Sequence, residues 1–218
     1  MTKTLERASA EEREESRGKT LEMVAVIILS ITTVLTAWSA FEASKWGGAM
    51  SIAFSQASAT RIESAGSEAT ANARITNQLG LWTQWAGATA TGNSQLASFL
   101  SDRFPEPLAT AHEDWLAAGG TAAGAPASPF EMPSYVVPEQ VTAAALSDRA
   151  GQLFQTALRN NQRGDNYTIL TVLFATVLFF TALAARVRAV RAQQVLIGTA
   201  LVFGLVGVVL LAAFPKLV

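Results

Sequence analysis

The sequence predicts an all-α membrane protein with three transmembrane helices and a helical domain between the first and the second. Three apolar stretches carry this prediction, at residues 23–40, 168–185 and 195–213. Each approaches the roughly 20 residues that an α-helix needs to cross a hydrocarbon core about 30 Å thick. The segment between the first two stretches repeats small and apolar residues at helical spacing. We therefore expect a helical bundle there, carried on a two-helix stalk.

Hydropathy and charge divide the chain into consecutive segments. In order these are a charged cytoplasmic segment at 1–20, transmembrane helix 1 at 21–41, an extracytoplasmic helical domain at 42–167, transmembrane helix 2 at 168–185, a basic cytoplasmic loop at 186–194, transmembrane helix 3 at 195–214 and an external tail at 215–218. A cleaved signal peptide is the alternative interpretation of the first apolar stretch. The segment before it is longer and more acidic than a signal-peptide leader, which favours an uncleaved anchor.

The orientation follows from the short basic loop. It contains Arg186, Arg188 and Arg191 and no acidic residue. The positive-inside rule places such a loop in the cytoplasm, so the amino terminus also lies inside and the carboxyl terminus outside. Trp38, Trp46 and Tyr167 then fall near the outer helix ends, where aromatic rings favour the headgroup region. We expect these three rings to act as interfacial anchors.

Two long helices are expected in the extracytoplasmic domain, at 47–93 and 138–163, packed antiparallel. The first is too long to match the second at an α-helical rise of about 1.5 Å per residue, so the chain must fold back. The candidate breaks in the first helix are Gly80, Gly87 and Gly92.

The chain between these helices should form two short helices and a loop. Asn93 is a good N-cap for a helix at 95–103, and Pro107 suits the first turn of a second helix that runs through Leu116. Residues 119–138 are rich in Gly, Ala, Pro and Ser, which predicts an irregular segment.

The composition excludes several functional classes. The formal net charge is −1 and no basic block interleaves with aromatic residues, so we expect no nucleic-acid partner. Cysteine is absent, which excludes disulfides, thiolate metal ligands and a cysteine nucleophile. The extracytoplasmic domain must therefore fold by packing alone, and its length is sufficient for one core.

Three sequence motifs resemble an uncharacterised family of small bacterial membrane proteins with three transmembrane helices. They are WSAFEASKWG at 38–47, SPFEMP at 128–133 and LFATVLFF at 173–180. The resemblance implies the three-span architecture and the plasma (inner) membrane of a bacterium. It implies no activity, because none is assigned to the family.

The single histidine is a candidate for metal or acid–base chemistry. His112 is followed by Glu113 and Asp114. Consecutive helical residues point in different directions and no second histidine exists, so we expect an exposed side chain with neither a metal nor a catalytic role.

Two tryptophans three residues apart, Trp82 and Trp85, lie close to several apolar side chains of the same segment. They could form an aromatic ligand pocket. Core packing is the favoured interpretation, because this alanine-rich domain has few other large side chains to bury.

Ionisable residues occur only at the edges of the apolar stretches. Glu22 lies at the inner end of the first helix, where the helix macrodipole favours an acid. Glu42 and Lys45 lie at the outer end, where they can pair with each other or with charged residues that precede the second transmembrane helix. We expect structural roles for all three.

Two membrane helices carry faces of small or hydroxyl residues. Such a face lines a water-filled pore in some oligomers and mediates close helix packing in others. On the first helix the residues are Thr32, Thr36 and Ser39, and on the third they are Ala200, Gly204 and Gly207. Helix packing is the favoured interpretation of both faces.

These patterns predict a non-catalytic membrane protein that self-associates or binds another membrane protein. The external helical domain and the small-residue faces would mediate this association. The alternatives are a homo-oligomeric channel lined by the first helix and a receptor-like sensing module. We expect no enzymatic activity and no cofactor, because no catalytic arrangement is visible. The lipid bilayer and a second membrane protein, or a second copy of the chain, are the expected partners.

Overall fold

The computed structural model describes the backbone of residues 2–187 and 189–217 and the side chains of residues 18–187 and 189–217. The described chain is helical and contains no strand. Its elements are α1 (Thr2–Ala90), α2 (Ser94–Ser101), α3 (Leu108–Ala117), a short 3-10 helix (Pro129–Glu131), α4 (Pro138–Ala184) and α5 (Val190–Ala213). The all-α prediction is therefore confirmed.

Three helices are long and apolar enough to cross a membrane. The qualifying helical segments are Gly18–Ala90, Pro138–Ala184 and Val190–Ala213. Each contains a window of high mean hydropathy with few charged residues. Each of these segments overlaps one of the three spans expected from the sequence, and together they are compatible with a membrane protein.

The helices form two compact units. Met1–Ala53 together with Gln155–Val218 makes up the first, which we call the three-helix unit. Phe54–Phe154 makes up the second, which we call the aromatic unit.

The expected breaks in the first long helix are only partly correct. Gly80 and Gly87 lie inside α1 and do not interrupt it. A single glycine in a helix costs only about 1 kcal/mol relative to alanine, which neighbouring turns can offset. The helix instead ends two residues before Gly92, whose φ of 72° requires a residue without a side chain. The side chain of Asn93 then accepts a hydrogen bond from Leu96 N at 3.1 Å, as predicted for an N-cap.

The core of the three-helix unit is aromatic and aliphatic. Its buried residues are Trp46, Tyr167, Leu170, Phe174 and Leu211. Trp46 and Tyr167 are 4% and 0% exposed. Both rings therefore fill the space between helices of this unit, and their expected role as interfacial anchors stays a prediction. Among the three candidates only Trp38 exposes its ring, at 39%.

The small face of α5 packs against α4 inside the chain. Ala200 is fully buried, and a Cβ at Gly207 would lie only 2.6 Å from Cε1 of Phe174. Gly204 is less crowded, since a Cβ there would meet Val177 at 3.9 Å. These contacts are those of close helix packing, the interpretation favoured from the sequence. Ala200 and Gly204 also line an open groove of about 250 Å³ beside Thr32 and Val177, so part of the face stays accessible.

The hydroxyl face of α1 is also largely covered. Thr32 and Ser39 are buried, and Thr36 is half-buried. The hydroxyls of Thr36 and Ser39 donate to the carbonyl oxygens four residues earlier in their own helix, at 2.7 and 2.9 Å. This arrangement supports helix packing rather than the lining of an open pore.

Glu42 does not pair with Lys45, contrary to expectation. Its carboxylate is fully buried, and Oε2 accepts a hydrogen bond from Leu217 N at 3.0 Å. The ammonium of Lys45 instead lies 6.0 Å from the ring centroid of Phe41. Tyr167 donates to Pro215 O at 3.1 Å, so two side chains fasten the residues that follow α5.

Arg186 and Arg191, two of the residues that set the expected orientation, are exposed. The third, Arg188, lies outside the described residues.

Candidate functional site: a tryptophan pocket

A pocket lies in the aromatic unit where the end of α1 meets α3 and the loop that follows α3. Trp82 and Trp85 project from the same face of α1, because residues three apart are neighbours on a helix. Trp115 comes from α3, whose other inward residues Leu108 and Ala111 are fully buried. The loop at 120–127 forms the opposite wall.

The three indole rings pack directly against one another. Ring centroids lie 6.5 Å apart for Trp82 and Trp85, 5.9 Å for Trp85 and Trp115, and 6.1 Å for Trp82 and Trp115. The last two pairs meet edge to face at 81°, the geometry that aromatic quadrupoles favour. The predicted core-packing role of Trp82 and Trp85 is confirmed.

The rings also line an open pocket of about 480 Å³, which is the size range of small-molecule sites. The remaining lining comes from the last turn of α1, including Thr89 and Ala90, and from the loop. None of the described residues that line the pocket is charged. The two interpretations of the tryptophans are therefore compatible, since the same rings form core on one side and pocket wall on the other.

Hydrogen bonds and glycines shape the loop. The indole nitrogen of Trp115 donates to Pro126 O at 2.7 Å. Gly119, Gly120 and Gly124 have φ of 115°, 55° and 92°, which residues with a Cβ rarely adopt. At the far end of the loop, Ala127 N donates to Oε2 of Glu131 at 3.2 Å. A carboxylate is thereby held next to a residue of the pocket wall.

His112 is buried, not exposed, and this corrects the sequence-based expectation. It is 4% exposed and packs edge to face against Trp85 at 4.4 Å and Phe104 at 5.1 Å. Neither ring nitrogen has a hydrogen-bond partner among the described residues. Burial lowers the pKa of His112 below its ordinary value of 6.5, an effect that the nearby Glu113 carboxylate opposes in part.

A buried polar network supports the aromatic cluster from the side of α1. Gln78 is 1% exposed, its Nε2 donates to Glu106 O at 2.9 Å, and its Oε1 accepts from the Tyr135 hydroxyl at 2.7 Å. Tyr135 in turn packs edge to face on Phe130 at 4.9 Å. Burial raises the pKa of Tyr135, whereas the guanidinium of Arg74 opposes that rise.

Arg74 completes this network. It donates to Glu106 O at 3.2 Å and forms an ion pair with Glu139 at the start of α4. The hydrogen bond from Arg74 lowers the pKa of Glu139. This network could not be predicted from the sequence, because its members lie far apart in the chain and follow no motif.

No group of three or more His, Asp or Glu side chains that could hold a metal ion occurs in the described part of the chain. The sites singled out from the sequence do not converge, since the tryptophan pocket belongs to the aromatic unit and the hydroxyl and small-residue faces belong to the three-helix unit.

No protein-family model, no curated protein and no solved structure matches this chain. The resemblance to a family of three-span bacterial membrane proteins stays a prediction.

Proposed function

We propose that this chain is a non-catalytic integral membrane protein that presents a helical binding domain outside the membrane. The tryptophan pocket is the binding site, for a small ligand or for a group on another membrane protein. The observation that carries the proposal is the open pocket of about 480 Å³ with three indole rings in its wall. Its lining includes hydroxyl and backbone groups but no acid, histidine or lysine, so the pocket suits recognition rather than acid–base chemistry.

The hydroxyl face of α1 and the small-residue face of α5 give weaker support for association with a partner than the sequence alone suggests. The strip of Ala200, Gly204 and Gly207 packs on α4 within one chain, and Thr32 is covered as well. The residues that the channel alternative assigns to a pore, Thr32, Thr36 and Ser39, are therefore buried or half-buried within a single chain. The pocket, in contrast, remains accessible, and it favours binding of a partner or ligand. It also favours the receptor-like alternative, in which occupation of the pocket would be the signal.

We further propose that the aromatic unit faces the outside of a bacterial inner membrane and that the loop after α4 faces the cytoplasm. The exposed Arg186 and Arg191 support this orientation. Single thiols test it cleanly, because the chain has no cysteine. We expect Ser94→Cys to react with a membrane-impermeant maleimide in intact cells and Ala192→Cys to react only with a permeant one. Both positions are exposed, and the reverse labelling pattern would invert the topology.

Fluorine NMR of fluorotryptophan-labelled protein tests the binding site itself. The full chain in phosphatidylglycerol nanodiscs should give one signal for each of its five tryptophans. Three probes of similar shape cover the possible charges, namely choline, its neutral carbon isostere and the tert-butylacetate anion. Binding in the pocket shifts the signals of Trp82, Trp85 and Trp115 and leaves those of Trp38 and Trp46 in place.

A pair of adjacent alanines provides matched variants. Ala122 and Ala123 are both exposed, but only Ala122 lines the pocket. Ala122→Phe fills the pocket and should abolish the shifts, whereas Ala123→Phe should preserve them. If no probe shifts the three pocket signals, or if both variants behave alike, the pocket is not a binding site and the proposed function fails.

A further inference from the structure

We propose that the tryptophan pocket selects a positively charged alkylammonium group. The proposal rests on the proposed function, since it names the ligand chemistry of the same pocket. A free amine and the headgroup of a choline lipid both carry this group. Three independent features of the pocket point to a cation.

The first feature is the indole wall. The face of an aromatic ring carries partial negative charge, and tryptophan attracts cations more strongly than the other aromatic residues do. Three of the five tryptophans of the chain, Trp82, Trp85 and Trp115, line this single pocket. Trp82 is only half-buried, so its ring remains available to a ligand.

The second feature is the position of two helix ends. The pocket is lined by Ala86, Thr89 and Ala90 from the last turn of α1, and by Trp115 near the end of α3. The carboxyl end of an α-helix carries a partial negative charge that a lysine or arginine in the last turn often compensates. Neither α1 nor α3 has a basic residue in its last turn. No basic side chain in these last turns therefore offsets the negative potential of the two helix ends, whose last carbonyl oxygens accept hydrogen bonds from the backbone N–H groups that follow.

The third feature is a carboxylate that is hydrogen-bonded to the backbone of a residue in the pocket wall. Glu131 accepts a hydrogen bond from the backbone of Ala127, which itself lines the pocket. No lysine or arginine is found among the described residues that line the pocket. The carboxylate thus adds to the negative potential of the indole faces and the helix ends, and nothing in the lining opposes it. An anionic ligand would meet repulsion, and a neutral one would gain nothing from this field.

The choline series separates charge from shape. Choline and its neutral isostere differ only in the replacement of the quaternary nitrogen by carbon. In the fluorine NMR titration we expect choline to bind about tenfold more tightly than the isostere. We expect the tert-butylacetate anion not to shift the pocket signals.

Two charge-neutralising variants locate the effect. Glu131→Gln should weaken choline binding severalfold and leave the isostere unaffected. Glu63→Gln removes the same charge from an exposed site on α1 that lies 19 residues before Trp82. That separation is about 28 Å along the helix, beyond the Debye length at physiological salt. This control variant should bind choline like the wild type.

The lipid composition identifies the source of the group. The ligand is a free amine if two results are found together. Added choline shifts the pocket signals in choline-free nanodiscs, and phosphatidylcholine nanodiscs without added choline leave these signals unshifted. If phosphatidylcholine alone produces the shifts, the headgroup is the ligand.

The outcomes also separate the two proposals. Equal affinity of choline and the isostere at the same three tryptophans would overturn the selectivity for a cation and leave the proposed function intact. Tighter binding of the anion would overturn it in the same way. Absence of binding by all three probes would overturn both.

Discussion

Acidification should destabilise the aromatic unit through His112. The imidazole is 4% exposed, and neither ring nitrogen has a hydrogen-bond partner in the part of the chain that the structure describes. The rings of Trp85 and Phe104 pack against it at 4.4 and 5.1 Å. A charged imidazolium gains no hydrogen bond in this cluster, so burial favours the neutral form. The lowered pKa of His112 expresses that preference.

The sign of the effect follows from proton linkage. A base whose pKa is lowered in the folded state binds fewer protons there than in the unfolded chain, so stability falls as the pH drops below the unfolded value of 6.5. Because only one proton is involved, the loss between about pH 7.5 and about pH 5.5 cannot exceed ~1.4 kcal/mol. For a unit of roughly 100 residues the melting temperature therefore falls by no more than about 10 °C.

Thermal unfolding of the full chain in nanodiscs, followed by tryptophan fluorescence, measures this loss. His112→Phe removes the only histidine of the sequence while keeping a ring in the cluster. The comparison is between the pH slopes of wild type and variant, so any constant change in stability caused by the larger ring cancels. We expect the slope between about pH 5.5 and about pH 7.5 to flatten in the variant.

Equal slopes in the two proteins would show that His112 does not cause the loss of stability, because the sequence has no other histidine. A melting temperature that rises on acidification in the wild type but not in the variant would contradict the predicted sign of the effect. His112→Ala, at a position that the sequence predicted to be exposed, should lower stability by about 2–4 kcal/mol through the cavity it leaves.

The packing and the polar contacts give three further predictions. Gly207→Ala should lower the stability of the three-helix unit by about 1–3 kcal/mol, because the added Cβ meets the buried ring of Phe174. Gly204→Ala should be neutral or slightly stabilising. Melting curves in nanodiscs measure both effects. Gln78→Leu should cost about 1–3 kcal/mol in the same assay, since it leaves the half-buried Tyr135 hydroxyl without its acceptor and removes one of the two donors to Glu106 O. Glu42→Leu should increase the mobility of a spin label attached at Lys216→Cys, because Leu217 N loses its hydrogen-bond acceptor. An unchanged electron paramagnetic resonance spectrum would show that packing alone holds the residues after α5 in place.

Local sequence patterns located most of the helices. A run of apolar residues long enough to span a bilayer depends only on length and composition, so the three membrane-compatible helices could be predicted directly. The cap at Asn93 and the short helix at Leu108–Ala117 also follow from local preferences. Gly80 and Gly87 misled the prediction, since a glycine weakens a helix without ending it unless the backbone must adopt a positive φ.

The sequence located the tryptophans of the pocket but could not assign their environment. The spacing of Trp82 and Trp85 showed a shared helix face, yet Trp115 and the loop join that face only in the folded chain. The same limit explains the error about His112, whose neighbours in sequence are acidic and whose neighbours in space are aromatic.

Hydropathy and backbone preference act between residues a few positions apart, and they determined that the chain is helical with three apolar spans. Burial and hydrogen bonding join residues far apart in the chain, and the tertiary structure alone decided these. It placed Trp46 and Tyr167 in the core of the three-helix unit, and it gave Glu42 a partner 175 residues away in the backbone of Leu217. The physical reason is that a side chain's free energy depends on what surrounds it, and a periodic pattern shows only which side of its own helix it occupies.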